Sequence, residues 1–335
     1  MTPSTIQSAA VIGSTAWGTT LAILLARNDV RTTLLVRDDA EAARLTKDGE
    51  NAHRLPGRAF PDTLSVNADP AALGESDLIT IAVPSRTFAA NLAATATHFA
   101  SDATLLSATK GIEVTTGRRM SELLTEAASG QPIAVLSGPN LSTEVAAGMP
   151  ASTVIASVDA PLDAVRAAFH SSTFRVYTSS DVVGVEMGGA LKNIIGIAAG
   201  AVGSLGYGDN ARAAIVTRGL AEITRLGVAA GADPLTFQGL AGIGDLTATA
   251  FSPLSRNHQL GALTAGGATL DEALTTLGET AEGADALPAA LALAKRLDVE
   301  MPVTEGLHSI LFEGVDWSAA IATLMEREPT SEFGS

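Results

Sequence analysis

The chain has 335 residues, 46% of them hydrophobic and 17% charged, a composition that supports a substantial core and excludes an intrinsically disordered protein. Its formal net charge of -15 argues against nucleic acid or an anionic membrane surface as partner, so an anionic ligand needs a local cluster of cations and backbone amides. Cysteine is absent, which removes disulfides, thiolate metal sites and a cysteine nucleophile. The opening residues MTPSTIQSAA carry no basic flank ahead of their apolar stretch, so no secretory signal and a cytoplasmic location are expected.

Ala9 to Gly13 reads as a short buried strand, and the following GSTAWGTTLAILLARN turns into a helix with Leu21, Leu24 and Leu25 at helical spacing. Strand, Gly-rich turn and helix are the context of a dinucleotide fingerprint, but GxGxxG is met only by Gly13 and Gly18, with Thr15 in the middle. Thr15 either holds the pyrophosphate slightly farther off or turns its hydroxyl toward it. The next strand, Thr32 to Val36, ends in Arg37 and Asp38, about where a ribose-reading residue belongs. An acid there suits NAD and an Arg suits the 2'-phosphate of NADP; Arg37, and hence NADP(H) over NAD(H), is the favoured reading.

Leu78 to Val83, Thr104 to Ser107, Ile133 to Leu136, Ser152 to Ala156 and Phe174 to Thr178 continue as short apolar strands with helical patterns between them. In such a parallel sheet the ligand crevice lies at the carboxyl ends, which is where Lys110, Gly138 and Asn140 fall. From Val182 onward the pattern is helical only: Val182 to Leu205, Asn210 to Leu226, a helix after Asp271, Ala284 to Leu297 and Glu305 to Phe312. A boundary near residue 180 follows, dividing 1–181 from 182–335. The tail from Glu326 has little to bury and is expected to fray.

The run Val182 to Leu205 is long enough to span a membrane, but it holds Glu186 and Lys192 and many glycines, which points to a buried core helix and no membrane insertion. A lysine inside such a helix is costly unless its pKa falls or it finds a carboxylate. The chain uses only Lys47, Lys110, Lys192 and Lys295 among 21 Lys and Arg residues. Because Lys can deprotonate and Arg cannot, Lys192 and Lys110 in Gly-rich, apolar settings suggest proton chemistry, with a structural ion pair as the alternative. Further on, GLAGIGDLTATAFSPLSRN offers Asp245 after a Gly-rich turn and then Ser255, Arg256 and Asn257 as a phosphate grip, or else a helix cap at Ser255. The five histidines, at 53, 98, 170, 258 and 308, have no ligand spacing, so no metal site is expected.

The stretches WGTTLA, ATKGIE, SGPN followed by AAGMPA, GGALKNIIGIAAG, NARAAIVTRGLAEITRLG, GLAGIGDL, LSRN and EMPVTEG together resemble bacterial-type NAD(P)-dependent glycerol-3-phosphate dehydrogenase over nearly the whole chain. The resemblance implies a Rossmann-type α/β domain followed by an all-helical domain like those of 6-phosphogluconate dehydrogenase relatives. It also implies reversible reduction of dihydroxyacetone phosphate to sn-glycerol 3-phosphate for phospholipid synthesis. Lys192 would be the proton acceptor or donor. Lys110, Gly138, Asn140, Lys192, Asp245, Ser255, Arg256 and Asn257 would contact substrate. Ala16, Trp17, Arg37, Lys110, Ser142, Arg256, Thr280 and Glu282 would join Gly13, Thr15 and Gly18 around the cofactor. Departures from the family pattern are Thr15, Asn140 where Ser or Thr is usual, Leu141 and Ser142 for Phe-Ala, and Thr280 and Ala281 for Val-Val. The apolar content of the helical half suggests a homodimer. The rival readings are a beta-hydroxyacid or 6-phosphogluconate type dehydrogenase that also uses a helix lysine and a silent NADP-binding regulator, which would have lost Lys192, Asp245 or Arg256.

Overall fold

In the computed structural model, residues 5–278, 281–328 and 331–332 are described. The first half is an eight-stranded sheet of β1 (Ser8–Ile12), β2 (Arg31–Leu35), β3 (Leu64–Asn67), β4 (Leu78–Ile81), β5 (Thr104–Ser107), β6 (Ile133–Ser137), β7 (Ala151–Ala156) and β8 (Phe174–Ser179). Its spatial order is β3-β2-β1-β4-β5-β6-β7-β8. The strand order therefore reverses between β1 and β4, and this switch point opens a crevice at their carboxyl ends. Helices α1 (Ala16–Arg27), α2 (Asp39–Asp48), α3 (Ser85–Thr95), α4 (Met120–Ala127), α5 (Ser142–Ala146) and α6 (Leu162–Phe169) accompany the sheet. Two apolar clusters hold this half together, one containing Leu21, Leu25, Leu34 and Phe169, the other Ile79, Ile81, Phe88 and Leu105.

The sheet is parallel except between β6 and β7, which pair antiparallel with Leu136 opposite Ile155. The purely parallel expectation fails here because only the five-residue α5 intervenes, too little helix for a right-handed crossover. Strand β3 was not foreseen: of LSVN only Leu64 is buried, so this edge strand has no apolar pattern to betray it.

The second half is helical: α7 (Val182–Ser204), α8 (Gly208–Ala229), α9 (Asp245–Phe251), α10 (Arg256–Ala265), α11 (Leu270–Leu277), α12 (Glu282–Arg296), α13 (Pro302–Glu313) and α14 (Trp317–Met325). The axis of this half is α7, buried from Gly184 to Val202. Its most apolar 18-residue window is 83% buried within the chain, as a core helix should be. Helix α10 crosses α7 so closely that a Cβ on Gly200 would overlap the carbonyl oxygen of His258, and one on Gly261 that of Ile197. The Asp181 carboxylate caps α7 at Gly184 N (2.8 Å) and also receives Asp233 N (3.0 Å) and the Thr236 hydroxyl (2.6 Å). Of the tail expected to fray, residues 329–330 and 333–335 lie outside the described residues, while Glu332 accepts from Arg218 (3.2 Å).

Two buried carboxylates tie elements end to side. Glu186 on α7 accepts from Ser121 N (2.8 Å), the Ser121 hydroxyl and Arg119 (3.0 Å), so it caps α4 and seams the sheet half to the helical half. Glu222 on α8 accepts from Val303 N (2.6 Å), Thr304 N (3.1 Å) and the Thr304 hydroxyl (3.0 Å), capping α13. Burial pushes the Glu222 carboxyl up to about 7 despite these bonds and the charge of Arg225. The folded state keeps a proton that the unfolded chain sheds above 4.5, so this stabilisation is complete at low pH and is lost as pH rises through about 7. The unfolding free energy of wild type minus that of Glu222→Gln should accordingly fall by on the order of 3 kcal/mol between about pH 4 and about pH 8. Denaturant melts across that range test this, and a flat difference would mean that Glu222 does not titrate there.

Candidate active site

Strand β1 delivers the chain to Gly13, whose φ of +109° and lack of Cβ let it lie against Val83 and the Ala82 carbonyl. Thr15 is the N-cap of α1: its hydroxyl accepts from Gly18 N (2.9 Å) and donates to Ala82 O (2.8 Å). Both roles of the hydroxyl are thus filled by protein, which answers how a threonine stands in the middle position of the fingerprint. A Cβ on Gly18 would overlap Gly13 O, so the turn closes only with glycine there. Ala16 and Trp17 open α1, and their first-turn amides precede the helix's own bonding, which leaves them to an anion. The Trp17 indole N–H is buried without a hydrogen-bond partner among the described residues. The turn fits a dinucleotide pyrophosphate on these grounds, even without a central glycine.

Beside this turn, Thr20 on α1 donates to Ser142 O (3.2 Å) at the start of α5, which draws Ser142 to the same rim. Asp38 caps α2 through Glu41 N (2.8 Å) and receives Arg37 Nε (3.1 Å) on its other oxygen. The Glu41 amide first and Arg37 second hold the Asp38 carboxyl below its usual range. The Arg37 side chain itself is 84% exposed at the crevice edge of β2.

The second group meets where the carboxyl ends of β5 and β6 face α7 and α9. Lys110 Nζ donates to Gly138 O (2.8 Å) and Asp245 Oδ2 (2.6 Å), while Lys192 Nζ lies 2.9 Å from Asp245 Oδ1. One carboxylate, only 3% exposed, therefore bridges two ammonium groups. Lys192 also donates to the Thr249 hydroxyl, 2.5 Å away. Burial, opposed by Asp245 and reinforced by the charge of Lys110, holds the Lys192 ammonium below the ordinary lysine range. Gly138 contributes its carbonyl, and Asn140 ties the β6–β7 turn by donating to Ser152 O (3.0 Å), leaving its own Oδ1 buried and unpaired among the described residues.

A third set adjoins the second through the peptide between Lys192 and Asn193. Asn257 Nδ2 donates to Asn193 Oδ1 (2.9 Å), Asn257 Oδ1 accepts from Gly283 N (3.0 Å), and Asn193 Nδ2 donates to Glu282 Oε2 (3.3 Å). Burial raises the Glu282 carboxyl, with the charges of Arg256, Lys192 and Lys110 pulling it down, so Arg256 belongs to this neighbourhood. Ser255 does what a cap does: its hydroxyl accepts from His258 N (3.3 Å) at the head of α10. Thr280 lies outside the described residues.

Of the residues proposed from sequence, Lys110, Gly138, Lys192 and Asp245 share one bonded network, and Asn257, Glu282 and Arg256 cluster next to it. Gly13, Thr15, Ala16, Trp17, Gly18, Ser142 and Arg37 form the separate rim around the β1–α1 turn. Thr249 and Asn193 were missed. Thr249 stands one helical turn after Asp245, on the same face, and the i, i+4 spacing in DLTAT was the available signal.

The chain matches the families described as NAD-dependent glycerol-3-phosphate dehydrogenase N-terminus, over residues 8–162, and C-terminus, over residues 181–322. It is 45% identical to a Streptomyces griseus protein named glycerol-3-phosphate dehydrogenase, NAD(P)+, over 97% of this chain and 98% of that one. A Corynebacterium aurimucosum protein of the same name is 46% identical over 98% of this chain and its own full length (100%). Among solved structures, the glycerol-3-phosphate dehydrogenase of Coxiella burnetii superposes with a TM-score of 0.92 at 35% identity, covering 96% of this chain and 99% of the other. A ketopantoate reductase from Ralstonia eutropha shares the fold alone, with a TM-score of 0.62 at 18% identity over 91% of this chain and 97% of the other. With its sheet half and its helical half each matched in order and nearly complete, the chain belongs to the NAD(P)-dependent glycerol-3-phosphate dehydrogenase family.

Proposed function

We propose that this enzyme interconverts dihydroxyacetone phosphate and sn-glycerol 3-phosphate, as a source of the phospholipid backbone, with Lys192 exchanging the proton. The observation that carries the reading is the Asp245 carboxylate bridging Lys110 and Lys192 in a buried setting. When bound, the nicotinamide cofactor would supply the hydride to the reacting carbon as NAD(P)H and take it back as NAD(P)+. The protein's part is position and protons. In reduction, Lys192 Nζ gives a proton to the carbonyl oxygen; in oxidation it accepts the hydroxyl proton, and the depressed lysine range brings that exchange nearer neutrality. Asp245 orients Lys192, and Lys110 supports the developing oxyanion with positive charge. Arg256 and Asn257 at the start of α10, with Ser255 setting that helix's first turn, hold the phosphate, while Asn140 and Gly138 line the opposite wall. Around the cofactor, Gly13, Ala16, Trp17 and Gly18 take the pyrophosphate. Ser142 and Glu282 flank it, with Thr280 assigned there on family resemblance alone. Both oxygens of Asp38 are engaged within the protein, whereas Arg37 is largely exposed, which favours a 2'-phosphate and so NADP(H).

Oxidation of NADPH at ~340 nm with dihydroxyacetone phosphate tests the whole reading. Lys192→Ala should lower the maximal rate at least roughly hundredfold without changing NADPH binding, and retention of more than about a tenth of the rate would reject Lys192 as the proton carrier. Asp245→Asn leaves buried Lys192 and largely covered Lys110 without the carboxylate that bridges them. It should cost about 3–5 kcal/mol in denaturant melts. It should also move to lower pH the limb of the reductive rate that needs protonated Lys192, because Asp245 raises that group; an unmoved limb would separate Asp245 from it. Arg37→Ala should raise KM for NADPH at least about tenfold relative to KM for NADH, since an Arg–phosphate pair contributes about 1.5–3 kcal/mol. Equal changes for both cofactors would mean that Arg37 does not read the 2'-phosphate.

A further inference from the structure

Behind Lys110, between the sheet and α7, lies a small cavity of about 10 Å³ bordered by Ser107, Lys110, Ser137, Val185 and Glu186. This is roughly the space that one water molecule needs. Its surroundings are unusual for the seam between a β-sheet and a helix, where Val135, Val154 and Val185 otherwise pack as an apolar cluster. Ser107 stands opposite Val135 in the β5–β6 register, and Ser137 follows Val135 by two residues, so both hydroxyls are on the sheet face that α7 covers. Both hydroxyl oxygens are buried, and neither has a hydrogen-bond partner among the described residues.

The helix side supplies what these hydroxyls lack. On Glu186, Oε2 accepts from Arg119 and the Ser121 hydroxyl, but Oε1 accepts only from Ser121 N among the described residues, so a lone pair is left. One turn later, Gly189 has no side chain where a Cβ would overlap Ser137 Oγ and would lie 3.6 Å from Lys110 Cγ. The serine hydroxyl, the stem of Lys110 and the helix backbone thus converge on one spot, kept open by a glycine.

We propose that Ser107, Ser137 and Glu186 bind one water molecule in this cavity and that, through it, they hold the Lys110 side chain in the position from which it reaches Asp245 and Gly138 O. The three are positioning residues for Lys110. The bound water accepts from the two serine hydroxyls and donates to Glu186, which satisfies groups whose burial unpaired is costly. It also fills the space into which the Lys110 stem would otherwise swing, so the ammonium meets the substrate without searching among rotamers.

This inference rests on the reading of Lys110 as a substrate contact, and the experiment separates the two. High-resolution crystal structures of the wild type and of Ser107→Ala/Ser137→Ala are compared, alongside steady-state kinetics and thermal melts of both. Expected are a single ordered water within hydrogen-bond distance of both serine hydroxyls in the wild type and its loss in the double variant. A rise of about tenfold in KM for dihydroxyacetone phosphate should accompany that loss, with an unchanged melting midpoint, a split that a merely structural role would not give. Absence of the water, hydroxyls turned instead onto main-chain carbonyls, or an unchanged KM in the double variant overturns the proposal. If the wild type does not turn over dihydroxyacetone phosphate at all, the functional reading fails, and the presence or absence of the water in the density still decides this one.

Discussion

Everything at the centre of this enzyme depends on one carboxylate held between two ammonium groups. Lys192 is too buried to sit there alone, Lys110 is largely covered, and Asp245 is too buried to be there without them. The three stabilise one another only as a set, and the set draws on distant parts of the chain: Lys110 follows β5, Lys192 lies mid-way along α7, and Asp245 opens α9. The cluster gathers two lysines around one carboxylate in a protein whose overall balance is strongly negative. Positive charge is therefore concentrated locally, against the sign of the chain as a whole.

Around that set the architecture is arranged to keep α7 close to its neighbours. Glycines on its faces admit α10 and the end of β6, and Asp181 and Glu186 fix its first two turns to what precedes and what seats it. Close helix contact brings Asn257 to Asn193 and, through Gly283, the start of α12 to the same place. Lys192 and Asn193, consecutive residues of one rigid helix, thus join the lysine–carboxylate network to the set around Asn257 and Gly283.

Much of this is legible in the sequence alone. The alternation of short apolar strands with helices, and its end after Ser179, follow from burial on both faces of a parallel sheet. Lys192 and Lys110 stood out because a lysine in an apolar run contradicts its own solvation. What stayed hidden has specific causes. The antiparallel β6–β7 pair depends on the length of a connection, not on the pattern of either strand. Strand β3 buries one leucine, and a four-residue edge leaves no periodicity. Thr249 looks like any helix threonine until Lys192 is beside it. Ser255 carried both of its meanings in sequence, and its cap role is a bond to the backbone that only a folded chain exhibits.

The seam at Glu186 has a consequence for how such chains can be recombined. The stretch between Ser179 and Val182 looks like a natural joint, with a sheet on one side and helices on the other. Yet two buried carboxylates find their cations across it: Glu186 meets Arg119, and Asp245 meets Lys110. A chimera spliced there inherits these partnerships only if both parents keep the same charges in register. The halves are therefore separable in topology but not in heredity, and a change at one of these four positions constrains what the other half can become.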